Sequence, residues 1–344
     1  MKLGLRSLSV LWIAWFSVSG TAGAHHAFTV FYDVSKVVEV DGELTQVRWS
    51  NPHVRFTVIA KDTRGREEIW NIETNSVSVL GRMGLSANSL KAGSHVKLAG
   101  NPARGSQLGM LARNVLLPSG QEIVLEPGER PRFSNRTVGT DGPWLATKGE
   151  ASGPQTGIFR VWSTALTGAW FLFPENSKYP LTERAQRVLS AFDPVKNNPL
   201  RDCTPKGMPT IMEQPYPMQF TQQGEDILLR LEEYDTLRTI HMKVDSGAQQ
   251  RPRNRLGYSV GRWDGAALVV TTTSVNWPHF DGLGIPMSEQ VEIVERFTPN
   301  ADGSQLDYRM TVTDPLTFTK PVVLQKHWLA LPDAEVKLYK CTQG

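Results

Sequence analysis

The sequence predicts a mainly β protein built as two successive barrels. Three observations carry this reading. Residues 37–117 read as three strands, a short helix and two further strands. From Met218 onward the chain is a series of eight or nine short alternations of apolar and polar residues, separated by turn residues. Apolar residues at helical spacing occur in only two short stretches.

The elements of the first half follow in order. Val37 to Ser50 is rich in β-branched and apolar residues, and Gly42 marks a bulge or bend within it. Asn51-Pro52 turns the chain. Val54, Phe56, Val58 and Ala60 then alternate with Arg55, Thr57 and Ile59, the period of a half-buried strand. Asp62 to Gly65 turns again, and Glu68 to Glu73 returns as a third strand. Asn75 is placed to cap a helix through Val77, Val79 and Leu80 that ends near Gly81 and Gly84. Ser94 to Gly100 and Leu111 to Leu117 are the last two strands. This is the element order of an OB-like five-stranded barrel, assigned to residues 25–125. Trp49 and Trp70 are expected to pack in its core. The face of strands two and three carries few paired aromatic and basic residues, so no nucleic-acid partner is expected.

Residues 126–157 are rich in Gly, Pro, Ser, Thr and charge, and read as a linker on which Trp144 docks locally. The second domain is assigned to residues 158–344. Thr182 is placed to cap a helix with Ala185, Val188, Leu189 and Phe192 at helical spacing. Strands then follow at short spacing, with Asp264-Gly265 as a hairpin signal and Val336 to Cys341 as the last strand. A larger antiparallel, lipocalin-like barrel or a strongly curved sheet manages the edges of so many strands.

The start of the chain predicts destination. Met1-Lys2 and Arg6 form a basic segment, Leu8 to Val18 an apolar one too short to span a bilayer, and Ala22-Gly23-Ala24 the small-x-small pattern of a signal-peptide cleavage site. Residues 1–24 therefore read as a signal peptide, and the mature protein as periplasmic or secreted, without a transmembrane anchor. The net charge of +3 is mild and its charges are interspersed, which excludes a polybasic membrane patch. Cys203 and Cys341 are the only cysteines, and an exported chain with an even pair is expected to join them.

Cleavage after Ala24 would leave His25 first. Its α-amine and imidazole form a two-nitrogen chelate that suits Cu(II), with His26 and His53 as candidates for a third ligand. This end is similar to the histidine brace of copper monooxygenases and some periplasmic copper carriers. Copper is thus the candidate cofactor. The alternative is a mobile polar arm, with His53 capping a strand.

His25-His26-Ala27-Phe28, Trp49 to His53, Trp70-Asn71-Ile72-Glu73 and Leu117-Pro118-Ser119-Gly120 together resemble a family of unknown function found in exported bacterial proteins. The resemblance covers about residues 25–125 and implies no activity. Gly207-Met208-Pro209, Arg238 to Met242, Gly257 to Trp263 and Val294 to Phe297 likewise resemble the C-terminal half of uncharacterised exported proteins.

No catalytic motif is fixed by spacing. There is no Gly-x-Ser-x-Gly elbow, no His-Glu-x-x-His and no phosphate loop. Glu232-Glu233 and Glu292/Glu295 read as solvated carboxylates. The loop from Asn276 to Gly282 is aromatic and contains Gly, as a lid over a barrel mouth would. Trp277, His279, Phe280 and His241 are therefore the candidate ligand-binding residues, and His241 with His279 a candidate acid–base pair. The leading expectation is a non-enzymatic binding protein whose second barrel holds a small, largely apolar ligand. The alternatives are a copper carrier or copper-dependent oxidoreductase built on His25, and a structural module offering surfaces to an envelope partner.

Overall fold

The computed structural model describes residues 31–105, 107–142, 145–151, 157–164, 172–173, 177–193, 196–197, 203–243, 252–331 and 333–342. The expected signal peptide, His25, His26 and Trp144 lie outside the described residues.

The first half builds the expected barrel. Strands β1 (Val38–Arg48), β2 (Arg55–Lys61), β3 (Glu67–Glu73), β4 (His95–Pro102) and β5 (Gly109–Leu116) lie in the order β3-β2-β1-β4-β5, and parallel pairing of β3 with β5 closes the ring. Val40, Leu44, Val54, Phe56, Val58, Val96, Leu98 and Val115 fill it. Trp49 and Trp70 pack half-buried against this core. The register slip in β1 falls between Leu44 and Gln46, not at Gly42. Gly42 is required for another reason: a Cβ there would overlap the Ile59 carbonyl of the paired strand. Helix α1 (Val77–Arg82) sits between β3 and β4 as expected. Its cap is Ser76, whose Oγ accepts from Val79 N at 3.1 Å. Asn75 is drawn elsewhere, because its amide donates to the Leu125 carbonyl (2.9 Å) and to Glu126 Oε2 (2.7 Å).

The expected linker is not free chain. Strand β6 (Glu122–Val124) continues the sheet beyond β5, and β7 (Thr137–Val138) pairs with β6. The buried Glu122 carboxylate accepts from the backbone N–H groups of Arg132, Phe133 and Ser134, each at 2.7 Å. Burying a carboxylate is costly unless donors surround it, so this cluster fastens the segment to the first barrel. Further along, Glu150 N donates to the Ala330 carbonyl at 2.7 Å, which places that end on the second barrel.

The second sheet has nine strands in sequence order: β8 (Val161–Trp162), β9 (Met218–Gln223), β10 (Asp226–Leu231), β11 (Thr236–His241), β12 (Tyr258–Asp264), β13 (Ala267–Thr273), β14 (Glu292–Pro299), β15 (Gln305–Thr313) and β16 (Val322–Leu329). Neighbours are antiparallel except β11 and β12, which pair in parallel. A bridge between Ser163 and Leu329 brings the first strand back to the last, so the barrel is nearly closed. Helix α2 (Glu183–Ala191) is capped by Thr182 as expected, but only Ala185 is buried and Val188 is exposed, so it rides on the surface. Phe220 on β9 and Phe297 on β14 meet at 5.2 Å between ring centroids. Those strands are not neighbours, so the contact crosses the lumen, and side chains fill the barrel at this level.

The chain does not end in the expected strand over 336–341. The last segment leaves the second sheet and lies on the first barrel. Tyr339 packs between Tyr216 (5.5 Å) and Tyr234 (5.1 Å) against the first barrel's core. Asn51 donates its amide to the Tyr339 carbonyl, Thr342 N donates to the Asn51 carbonyl at 3.1 Å, and Tyr339 N donates to Asp235 Oδ1 at 3.0 Å. Cys203 and Cys341 form the expected disulfide, across 138 positions of sequence.

Two stability outcomes follow. Reducing the disulfide, or replacing both cysteines by serine, should lower unfolding free energy by about 4–5 kcal/mol on the chain-entropy account; denaturant titration with and without reductant measures this. Gly42→Ala should cost about 1–3 kcal/mol through steric overlap. A Gly81→Ala control would separate this from loss of backbone freedom, since Gly81, like Gly42, lacks a positive φ and has nothing near its Cβ position.

Candidate functional site

Four strands of the second barrel carry a charged residue or a tyrosine on the buried inward face. Arg238 lies between Thr236 and Ile240 on β11, Glu295 between Ile293 and Phe297 on β14, Tyr308 between Leu306 and Met310 on β15, and Lys326 between Leu324 and Trp328 on β16. All are buried. Strand alternation forces the outcome: if the flanking positions face the core, so does the middle one.

Arg238 grips Glu295 with both terminal nitrogens, Nη1 to Oε1 at 3.0 Å and Nη2 to Oε2. Nη2 also donates to Thr272 Oγ1 (2.7 Å), Nε to Ser259 Oγ (3.1 Å), and the Tyr308 hydroxyl to Glu295 Oε1 (2.8 Å). Burial alone would lower the Arg238 pKa, but the Glu295 charge and hydrogen bonds outweigh it and raise it. Burial and then Glu295 push the Tyr308 phenol well up. Arg238 stays charged and the phenol protonated, each hydrogen-bonded to Glu295, so this network acts as a clamp across the lumen. Glu295, expected in solvent, is fully buried because its strand neighbours Ile293 and Phe297 set the phase.

Toward the other end of this polar row the hydrogen bonding is not saturated. Lys326, the cross-strand partner of Tyr308, is 6% exposed. Its ammonium lies 4.8 Å from the Trp328 ring centroid and has one long bond, 3.4 Å, to the Met212 carbonyl. It interacts electrostatically with Glu213, Glu233 and Lys206. Lys206 pairs with Glu233 Oε1 at 2.8 Å. Glu213 Oε2 accepts from Leu172 N (2.7 Å) and Phe173 N (3.2 Å). Glu213 Oε1, Glu233 Oε2 and Trp328 Nε1 are buried without a hydrogen-bond partner among the described residues. Burial pulls the Lys326 amine down to about 8 against the raising effect of the two carboxylates. Burial likewise raises Glu213, offset by Lys326 and the two backbone donors. Glu232 and Glu233 are both buried, contrary to expectation. The turn at 233–235 directs Glu232 to Arg82 of the first barrel (2.6 Å) and Glu233 to Lys206.

The residues singled out from sequence are distributed differently. The 276–282 loop is a plug, not a lid. Trp277 Nε1 donates to Thr210 Oγ1 (3.0 Å), and Phe280 is fully buried against Phe173, Tyr179 and Phe318 at 4.9–5.1 Å. Gly207 packs so tightly on Trp277 that a Cβ would lie 2.6 Å from its ring. Rings buried this way gain more than rings left over water. His279 faces Phe192 edge-on at 5.6 Å, and burial holds its imidazole below the usual pKa. His241 bonds Asp226 Oδ2 at 2.8 Å and stacks on Tyr258, so the structure does not pair it with His279. His53 Nδ1 meets the Thr74 carbonyl at 3.0 Å and Glu73 Oε1 at 3.7 Å. Among the described residues no group of three or more His, Cys, Asp or Glu is arranged to hold a metal, and His25 and His26 lie outside them.

Two measurements test this electrostatic description. Arg238→Met should cost about 3–5 kcal/mol because it strands Glu295, and adding Glu295→Leu should restore much of that loss; a double-mutant cycle in denaturant reads both. Asp281 in the plug is pushed up to about 6 by burial, against N–H bonds from Leu283 (2.9 Å) and Ile285 (3.2 Å). Its carboxyl binds a proton more tightly folded than unfolded, so this contribution is full below about pH 3 and is lost as pH rises from there through 6, about 2–4 kcal/mol in all. Asp281→Asn should flatten that part of the stability–pH curve.

Comparison with known proteins places only the first part of the chain. No curated protein matches it. Among solved structures, the mitochondrial single-stranded DNA-binding protein Rim1 from S. cerevisiae aligns at 11% identity over 24% of this chain and 94% of its own, with a TM-score of 0.20. The resemblance read from the first barrel's strings is supported at the family level: residues 14–112 match the model of DUF6152, a family of unknown function.

Proposed function

We propose that this chain is an exported, non-enzymatic binding protein, and that the second barrel binds a small polar ligand at the Lys326 pole. The leader-like first 24 residues support export. The single observation behind the site is the unfilled hydrogen-bonding capacity around one buried ammonium. Among the described residues Glu213 Oε1, Glu233 Oε2 and Trp328 Nε1 all lack partners and Lys326 makes one long bond of the three its ammonium offers. Buried polar atoms are nearly always satisfied, so a concentration of unsatisfied ones marks a place for an occupant. The aromatic contacts across the mid-lumen and the buried plug leave the apolar part of the barrel to its own side chains. This favours a polar ligand at the pole over an apolar one in the lumen.

A thermal-shift screen of small polar molecules tests the reading, with Lys326→Met and Trp328→Phe run beside the native protein. Binding at a hundredfold excess over Kd should stabilise the native protein by about 2.7 kcal/mol, and the shift should shrink in both variants. The reading fails if nothing stabilises the native protein, or if every hit is indifferent to both substitutions.

A further inference from the structure

We infer that the ligand of the Lys326 pole is electrically neutral and carries a hydrogen-bond donor and an acceptor close together, as a primary amide does. This rests on the binding reading above. The argument begins with charge. Among the described residues the pole gathers two ammonium groups, Lys206 and Lys326, and two carboxyl groups, Glu213 and Glu233, coupled to one another. The sum is zero. Moving a proton from Lys326 to Glu213 leaves it zero, so the balance holds whichever form that pair takes. The surroundings are apolar or aromatic: Trp328 is fully buried, and Ile211 and Met212 pack in the same core. Bringing a net charge into such a site costs its hydration without a free counter-charge to repay it.

The second step concerns hydrogen bonds. The open positions are of both kinds. With the proton on Lys326, Glu213 Oε1 and Glu233 Oε2 are acceptors, and the Trp328 indole N–H is a donor; with the proton on Glu213, its carboxyl and the Lys326 amine exchange roles and the pole still offers both kinds. The Lys326 ammonium, 4.8 Å from the Trp328 ring centroid, adds donors beside that ring. An occupant that only accepts would leave the carboxylates bare, and one that only donates would leave the indole bare. An amide presents its carbonyl to Trp328 and Lys326 and its NH₂ to the carboxylates, with no change in net charge.

Three probes of one size separate the cases: propionamide, propionate and n-propylammonium. The readout is the Trp328 indole N–H resonance, assigned by its loss in Trp328→Phe. Propionamide should shift this signal at concentrations at least tenfold below those needed for either charged probe. Glu213→Gln leaves the pole one positive charge in excess, and should bring propionate to parity with or ahead of propionamide. If propionate or propylammonium binds the native protein as well as propionamide, the neutral class is wrong although the site stands. If no probe moves the signal while a hit from the thermal screen does, the class is again wrong and the site stands. If neither probes nor screen produce binding, the binding reading falls with the inference, and water alone satisfies the pole.

Discussion

The second barrel depends on the Arg238–Glu295 pair. An ion pair sealed from water is stable only if nearly every hydrogen-bonding position is filled, and here Ser259, Thr272 and Tyr308 complete the set. The residues come from β11, β12, β13, β14 and β15. The network therefore fixes the distance across the lumen as well as the register along each wall. A shift of one residue in β14 would turn Glu295 outward and put Val294 or Arg296 in its place, opposite a buried guanidinium. The pair selects one closure of the barrel, at a cost that the aromatic packing around it offsets: Phe220, Phe297, Tyr308 and Trp328 form a continuous set of ring contacts next to it.

The two barrels are joined in a way that makes neither self-contained. Tyr216, Tyr234 and Tyr339 come from the second half of the sequence, yet they pack with the first barrel's core. The Arg82–Glu232 pair ties helix α1 to the β10–β11 turn, and Glu232 also accepts from Lys337 N at 3.0 Å. The C-terminal segment thus bonds to both barrels along one short run. A flexible tail would lose much conformational entropy in taking that path, and the cross-link to Cys203 removes part of that cost beforehand.

Strand alternation made most of the fold readable in advance. The first barrel's inward residues, the position of α1 and the Thr182 cap follow from local patterns, and the disulfide from the count of two cysteines in a chain with an export signal. What stayed hidden was decided by contacts distant in sequence. Nothing near Val336 indicates that the last segment abandons its own sheet for Tyr216 and Tyr234. The linker's attachment depends on Glu122 finding three backbone donors in a stretch without periodicity. An aromatic loop looks the same in sequence whether its rings point in or out, so the burial of Trp277 and Phe280 is not legible there. The polar row is legible in the sequence, although Glu295 reads there as solvated: Thr-x-Arg-x-Ile over 236–240, Ile-x-Glu-x-Phe over 293–297 and Leu-x-Lys-x-Trp over 324–328 each place a charge in the phase of the core-facing residues. A charge in that phase must be buried, and three on one barrel need one another or a ligand.

The pole where bonding is incomplete sits where these constraints meet. Lys206 lies three positions after the disulfide-bonded Cys203. Glu213 ends the buried turn that carries Ile211 and Met212. Glu233 adjoins Tyr234, which packs with the first barrel, and Lys326 lies on the last strand of the second. The disulfide at Cys203, the Trp277–Thr210 hydrogen bond and the Tyr234–Tyr339 contact each bound one of the stretches that carry these groups. Their unfilled hydrogen bonds are then more than a packing defect, since a defect confined to one segment would relax by rotating one side chain. Here relaxation of any one group is resisted by a different part of the molecule, and the unmet hydrogen bonds persist because the contacts around each group hold it in place.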